Sequence, residues 1–377
     1  MRADRPVESR RYARPPGGGS ATPGGPPEAS AIFGAPQCSP LVSVSVTIRD
    51  VARQAGVSIS TVSRVLNDTC PVREDKRKLV LEAAETLGYV PNPAARSLHG
   101  KQTGAIGVLL PFVSGEFFSE LLNGLDEAAQ EHGRFLLIST SHRRPDEFEK
   151  AIRLLDRRVD GLVVMAPEVD VVGTAAILKT DTPVVMINTY ARGLEADVYN
   201  FDNRAGARAL TEHLVRAGHR HIAYIHGPAH AHDAIERAEG YREAIAAAGL
   251  DERVVPGGFT REDGYAAAER LVAEQDRGGP PLPTAIVAAN DYCAMGAMSA
   301  LHAHGITVPD DVAIVGFDGL ASGQYAVPPL TTVRVPIAEI GRRAVAQLVA
   351  RLGGGDGAAP IHEHVVPVEL VVRESSA

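Results

Sequence analysis

Cysteine is scarce: 377 residues include three, Cys38, Cys70 and Cys293. They are far apart and odd in number, so neither a disulfide framework nor a zinc site is suggested. Apolar runs are short, and none approaches the length that spans a membrane. The charged, apolar and small-residue order of a secretory leader is also missing, which argues against export and fits a reducing cytoplasm. Catalytic signatures are equally thin. There is no GxSxG elbow, and Gly100-Lys101 lacks the preceding glycine and the following Ser or Thr of a phosphate-binding loop. His230 with His232, and His362 with His364, come with no third ligand at a metal-binding spacing and read most simply as loop histidines. No metal, no cofactor and no enzymatic chemistry are expected.

What is present has room for two or three domains, and 45% hydrophobic residues is ordinary for a soluble globular chain. Residues 1–46 are rich in Pro, Gly, Ala, Ser and Arg and offer no apolar periodicity, so they read as a disordered extension. Charge is unevenly spread. Residues 47–101 hold nine Lys or Arg against six Asp or Glu, whereas residues 102–377 hold 24 against 37. An acidic balance overall therefore does not exclude a nucleic-acid partner; it confines the basic footprint to one segment and makes binding there salt-dependent.

That segment, Thr47 to Gly100, organises the chain. Thr47 can cap a helix over Ile48–Ala55 whose Val51, Ala52 and Ala55 share one face. Gly56 stops it. Val57 reads as a buried pin, and Ser58 as the cap of a second helix from Ile59 to about Leu66 with Val62 and Val65 inward. Ile59, Ser60, Ser63 and Arg64 are left facing out. Two short helices joined by a glycine-bearing turn meet the requirements of a helix-turn-helix, whose second helix enters the major groove. A third helix near Glu74–Leu87 brings Leu79, Val80, Ala83, Ala84 and Leu87 to cover the pair. Beyond it, Asn92 can cap, Pro93 suits the first helical position and Gly100 the exit of a helix under two turns long. A helix so short does not persist alone in water, which makes it an order-disorder element.

The segment resembles the DNA-binding headpiece of the lactose/galactose-repressor family of bacterial transcription regulators, through DVA-x-x-AGVS-x-STVSRVLN and then GY-x-PN-x-x-ARSL. The resemblance implies that Ile59, Ser60 and Arg64 read base edges, with Ser58, Thr61 and Ser63 nearer the phosphates and Thr47 and Asn67 at the ends of the same DNA-binding unit. It further implies that Ala95 and Leu98 enter the minor groove, where Leu98 wedges between base pairs and kinks the site. One departure is Arg73, where family members often start the third helix with Ser or Thr. Because family members usually begin a residue or two before the equivalent of Thr47, Val42, Val44 or Val46 is an alternative initiator. The intact mass of natively expressed protein decides that point.

From Thr103 onward short apolar runs alternate with helical patterns. Strands are expected at Ala105–Pro111, Phe135–Thr140, Gly161–Pro167, Pro183–Asn188, Ile222–Gly227, Thr284–Asn290, Ala313–Asp318 and Val365–Val372. Helices are expected at Phe118–His132, Glu147–Arg158, Arg204–Ala217, Arg237–Ala248, Gly264–Gln275, Tyr292–His304 and Pro336–Leu352. Continuous β-branched runs between amphipathic helices mean parallel sheet covered on both faces. There are too many for one comfortable sheet, so the expected fold is a small all-α headpiece plus an α/β domain of two doubly wound subdomains with a cleft between them. The domain reading is 1–46 extension, 47–91 helix-turn-helix, 92–102 hinge helix and linker, and 103–377 effector-binding and dimerisation domain.

Ligands bind such sheets outside the carboxyl ends of the strands. Phe117 and Phe118 after the first strand, Asn188, Asn290 with Asp291, and Asp318 therefore make a polar ring with aromatic walls, suited to a small hydroxyl- or amide-rich molecule. Each has a plain alternative, Phe118 as core and Asp291 and Asp202 as helix caps. The family resemblance continues through GLDEAAQEHG, HLVRAGHRHIAYIHGP, ANDYCAMGAM, VPDDVAIVGFDG and PPLTTVRVP, and implies a periplasmic-binding-protein-like effector domain. By position it implies Phe118, Asn188, Arg237, Phe259, Asn290 and Asp318 at the ligand, with Asp233 at the rim. The plain alternative for Arg237 is a structural ion pair, and Gly240 reads as a backbone feature. A purine-binding member carries a basic residue where Ala231 stands, and Asp233 repels a phosphate, so an uncharged sugar or a nucleoside is the expected effector. The expected protein is a cytoplasmic homodimeric regulator, usually a repressor, that grips a double-stranded DNA operator and answers to that effector. The alternative is a cytoplasmic solute binder without DNA function. Deleting residues 1–100 separates them, since only the solute binder keeps all its function.

Overall fold

The computed structural model describes residues 46–66, 70–89, 102–167, 179–189, 196–353 and 361–377. Contacts divide the chain into two compact units, Met1–Val90 and Pro91–Ala377. In the first, α1 (Ile48–Ala55), α2 (Ile59–Leu66) and α3 (Glu74–Leu87) close around Val51, Ala52, Ala55, Val62, Val65, Val80, Ala83 and Ala84. Gly56 ends α1 at φ 64°, where its N–H returns to the carbonyls of Ala52 and Arg53, and Val57 packs half-buried behind it. Leu79 departs from expectation: it is 49% exposed. The stripe that packs is 80-83-84-87, and Leu79 points about 100° away from Val80 around the axis. Arg73 precedes α3 without a side-chain cap and pairs instead with exposed Asp75 at 2.9 Å.

The second unit is two six-stranded sheets. The first comprises β1 (Ala105–Leu110), β2 (Phe135–Thr140), β3 (Gly161–Met165), β4 (Val184–Ile187), β5 (Asp197–Phe201) and, from near the end of the chain, β11 (Glu363–Val366), in the order β11-β5-β4-β3-β1-β2. The second comprises β6 (Ile222–His226), β7 (Val254–Pro256), β8 (Ala285–Ala288), β9 (Ala313–Asp318), β10 (Thr331–Arg334) and β12 (Glu369–Val371), in the order β12-β10-β9-β8-β6-β7. Each is parallel except where β12 runs against β10. Strand order reverses beside β1 and beside β6, the switch points of doubly wound sheets.

The helices sort with the sheets. α4 (Glu116–Glu131) and α11 (Ile337–Gly353) pack together on the first lobe, with α5 (Pro145–Leu155) on the sheet's other face. α6 (Asn203–Arg216) pairs with α7 (His232–Ala247), and α8 (Arg261–Asp276) with α9 (Asp291–Ala303), on the second. A one-turn α10 (Ala321–Gln324) follows β9. The chain therefore passes between lobes three times, after Phe201, after Arg334 and after Val366. One apolar cluster includes Val108 and Val163 of the first sheet and Tyr224 and Val315 of the second. No helix among the described residues is long and apolar enough to cross a membrane.

Two expectations need correction. Val365–Val372 is not one strand: β11 joins β5 in the first sheet and β12 joins β10 in the second, with Pro367, which has no ladder N–H, between them. α7 starts at His232, five residues before Arg237, so Asp233 lies in its first turn. Gly240 is a backbone feature, since a Cβ there stands 2.1 Å from the carbonyl oxygen of Arg204 on α6.

Candidate functional site

On the first unit, α2 turns Val62 and Val65 inward, which leaves Ser60 and Arg64 exposed and Ile59 46% exposed. Ser58 Oγ accepts the Thr61 N–H at 3.2 Å and lies 2.8 Å from both the Ser60 and Thr61 hydroxyls, so three hydroxyls crowd the positive end of the helix. Thr61 and Ser63 are half-buried beside them. Thr47 donates its N–H and hydroxyl to Asp50 at 2.9 and 2.6 Å, which holds that carboxyl below its ordinary range and ties down the start of α1. Hydroxyls and one arginine on an exposed helix face are what phosphate and base-edge contact require. Asn67, Ala95 and Leu98 lie outside the described residues.

On the second unit, the strands' carboxyl ends meet in a cleft of about 310 Å³. Phe117, Phe118, Asn188, Asp233, Arg237, Phe259, Asn290 and Asp318 all line it. Arg237 is its pivot, 3% exposed. Nε donates to Asn203 Oδ1 at 2.9 Å, Nη1 to the Ala289 carbonyl at 2.8 Å and Nη2 to Asp318 Oδ1 at 3.3 Å, while the guanidinium lies 3.8 Å from the Phe317 ring centroid. The structural ion pair is therefore real, yet each terminal nitrogen keeps a second N–H for another acceptor. Asn188 reaches across from the first lobe and donates Nδ2 to Asp233 Oδ2 at 3.3 Å, while Asp233 Oδ1 accepts its own helix's Ala234 N–H. Asn188 Oδ1 is buried with no partner. The residue is also held at φ 46°, a left-handed backbone that a side chain adopts only when its surroundings demand it.

Asp318, at φ 114°, is fixed by the loop beyond it, where Asp291 accepts the Leu320 N–H at 2.7 Å and the Thr332 hydroxyl at 2.5 Å. Asp291 is thus buried structure and not a cap; Asn290 caps α9 through Cys293 N, and Asp202 caps α6 through Ala205 N. Burial pushes Asp291 well above the ordinary carboxylate range, with the nearby Asp318 adding to it.

Burial likewise pushes Asp318 up to about 7, against the pull of Arg237 and with the push of Asp233. A carboxyl raised in the fold contributes stability that is full below its ordinary value and is lost as pH rises through about 7. Ligand hydroxyls prefer the ionised form, which accepts hydrogen bonds on both oxygens. Affinity for a hydroxylated ligand is therefore expected to rise from pH 6 to 8 and then level off, and Asp318→Asn is expected to flatten the profile. Calorimetric titration at three pH values checks it; a wild-type profile already flat removes Asp318 from the site.

Several lining residues were not read from the sequence. Phe112 and Arg143 follow β1 and β2 at the strand exits, where the same rule finds them. Phe201 escaped because β5, with Asp and Asn inside DVYNF, does not look like a strand. Tyr292 opens α9, and its hydroxyl accepts the Glu116 N–H from the other lobe at 2.8 Å. Phe112 and Phe118 (4.4 Å) and Phe117 and Phe118 (5.3 Å) build the aromatic wall. His232 begins α7, and His364, in β11, stacks on Tyr199 of β5 at 4.6 Å, so neither is a loop histidine.

A helix-turn-helix body with an open second helix, together with a two-sheet cleft whose polar floor draws on both lobes, defines a ligand-controlled DNA-binding transcription regulator. Residues 47–92 match the family model of bacterial regulatory proteins, lacI family, and residues 211–376 that of the periplasmic binding protein-like domain. The chain belongs to the lacI family, which is one of regulators and not of enzymes. It is 32% identical over 334 residues to the transcriptional repressor PurR of Haemophilus influenzae (strain PittEE), spanning 87% of this chain and 98% of that one. With the transcriptional regulator GalR of Salmonella typhimurium (strain SL1344) it shares 36% over 332 residues, 87% and 95% of the two chains. The lac repressor dimer bound to operator and the anti-inducer ONPF superposes with a TM-score of 0.78 at 29% identity, covering 88% of this chain and 99% of that one.

Proposed function

We propose that the protein is a cytoplasmic repressor that binds a palindromic operator as a homodimer and that a sugar or nucleoside in the cleft sets its DNA affinity. The supporting observation is the buried, unpartnered Oδ1 of Asn188, a residue that lines the same cavity as the Arg237–Asp318 pair. A buried acceptor without a donor costs about 1–3 kcal/mol, and a ligand hydroxyl removes that cost. A vicinal diol suits the rest of the floor, one hydroxyl taking a spare Arg237 N–H while donating to Asp318, the next donating to Asn188. Phe259, which lines the same cleft, offers a ring face to an apolar sugar or base surface. For the dimer, edge strand β2 leaves Phe135 and Leu137 exposed on one face and Ile138 on the other, an apolar sheet edge that a second copy covers.

The test is a thermal-shift screen of the full-length protein against sugars and nucleosides, followed by operator titration with each hit. A true effector at a hundred times its Kd stabilises by about 2.7 kcal/mol, and it changes operator affinity by the factor by which operator changes its own. Hits that bind equally well to an Arg237→Gln variant, or that leave operator affinity untouched, remove the cleft from the switch.

A further inference from the structure

We propose that Glu116 is a positioning residue, a latch between the lobes that sets how often the cleft is closed enough to hold its effector; this rests on the cleft being the effector site. Glu116 opens α4 in the first lobe and bonds the second lobe twice. Its backbone N–H donates to the Tyr292 hydroxyl of α9 at 2.8 Å, and its carboxylate accepts the Ser322 N–H of α10 at 2.9 Å. All three residues are half-buried, so water competes only in part. The approach is close. A Cβ on Gly115, at φ 94°, would stand 3.1 Å from the Tyr292 ring, so the residue before the latch is one that has none.

Both ends of the latch are stiff, which is what lets two hydrogen bonds fix a tilt. On the first lobe, Gly124 lets α4 lie so close to α11 that a Cβ there would be 2.0 Å from the Ala338 carbonyl oxygen. On the second, the turn bearing Ser322 is pinned at Leu320, whose N–H goes to Asp291 at 2.7 Å, and at Gly323, whose carbonyl accepts the Leu330 N–H at 2.8 Å. Arg261 lies 4.1 Å from the centroid of the Tyr292 ring and backs it from its own lobe. A different hydrogen bond between the lobes, Asn188 to Asp233, joins two lining residues, so a ligand can replace it. Glu116 and Ser322 are not among the residues that line the cavity. Their bond therefore outlasts ligand entry and biases the tilt whatever occupies the cleft. It ends on a carboxylate, and such bonds are roughly twice as strong as neutral ones. Because Phe118 and Asn188 come from one lobe and Arg237 and Asp318 from the other, only a closed tilt presents them together. Apparent affinity then scales with the closed fraction, which the latch raises.

Hydrogen exchange of the full-length protein, read residue by residue, tests the latch with no ligand added. Both N–H groups sit in the first turn of a helix and have no partner within it, so their protection reports the latch. Each should exchange roughly tenfold or more slowly than exposed backbone. Glu116→Ala should release the Ser322 amide and leave α4 protected beyond its first turn. Glu116→Gln, which keeps a carbonyl acceptor, should release it less, and Tyr292→Phe should release the amide of residue 116. The Glu116 variants are then titrated calorimetrically with neutral probes: ribose, galactose, cellobiose, adenosine and cytidine. Every probe that binds the wild type should bind Glu116→Ala about tenfold more weakly and by one common factor, since the closed fraction falls and no ligand contact is lost. Fast exchange at either position in the wild type overturns the latch. So does a loss of affinity that differs from probe to probe, or a general loosening of α4 with the Ser322 amide unchanged. If the wild type binds none of the five probes, the sugar-or-nucleoside reading is what falls, and slow exchange released by Glu116→Ala still upholds the latch.

Discussion

Arg237→Ala should yield a protein that still binds operator but no longer answers to any effector, with ligand affinity down by a hundredfold or more. The substitution strips the cleft of its central donor and leaves Asp318, Asn203 and the Ala289 carbonyl without the partners they have now. Removing one member of a buried ion pair costs about 3–5 kcal/mol because the other charge is stranded. Here the lower end applies, for Asp318 stands at about 7 and can shed its charge by taking a proton. The double variant Arg237→Ala/Asp318→Asn should therefore recover much of the lost stability and none of the ligand response. That divergence separates a ligand contact from a structural pair. A chemical-denaturation series beside ligand titration measures both, and recovery of ligand binding together with stability would reduce Arg237 to scaffolding.

The chain could be read this far because its signals are local. Gly56, the Ser58 cap and the inward Val62 and Val65 fix the helix-turn-helix within twenty residues, and β1, β3, β4, β8 and β9 are apolar runs that only a buried parallel strand explains. Asn188, Asn290 and Asp318 were legible because strand exits are where an α/β sheet puts its ligand, whereas Asp233 and Arg237, which sit on α7, came only from what the family resemblance implies. What escaped depends on tertiary pairing. Thr331–Arg334 is a strand because β9 and β12 flank it, and Val365–Val372 divides because two sheets compete for it. The unpartnered oxygen of Asn188 and the left-handed backbone of Asp318 leave no trace in composition or periodicity. Leu79 misled for the opposite reason, since an apolar residue one step from the packed stripe looks like core in sequence and faces outward on the helix.

On the DNA side the two kinds of contact are expected to fail differently. Arg64 is exposed on α2 while Val62 and Val65 anchor the helix, so Arg64→Ala should leave the headpiece folded. If Arg64 reads a base edge, its loss costs about 1–3 kcal/mol per half-site at the cognate base and relaxes preference at one position. Binding to other sequences should fall only slightly and uniformly. Leu98→Ala removes no charge and no base-edge contact. A wedge stabilises only the kinked complex, so specific operator binding should drop by roughly tenfold or more while non-specific binding stays level. Titrating each variant against operator, operators substituted at single positions, and unrelated duplex of equal length, all at one salt concentration, gives the three ratios. Equal losses on operator and unrelated DNA for Leu98→Ala would sink the wedge. For Arg64→Ala, an unchanged order of preference among the substituted operators would assign that side chain to the phosphates instead.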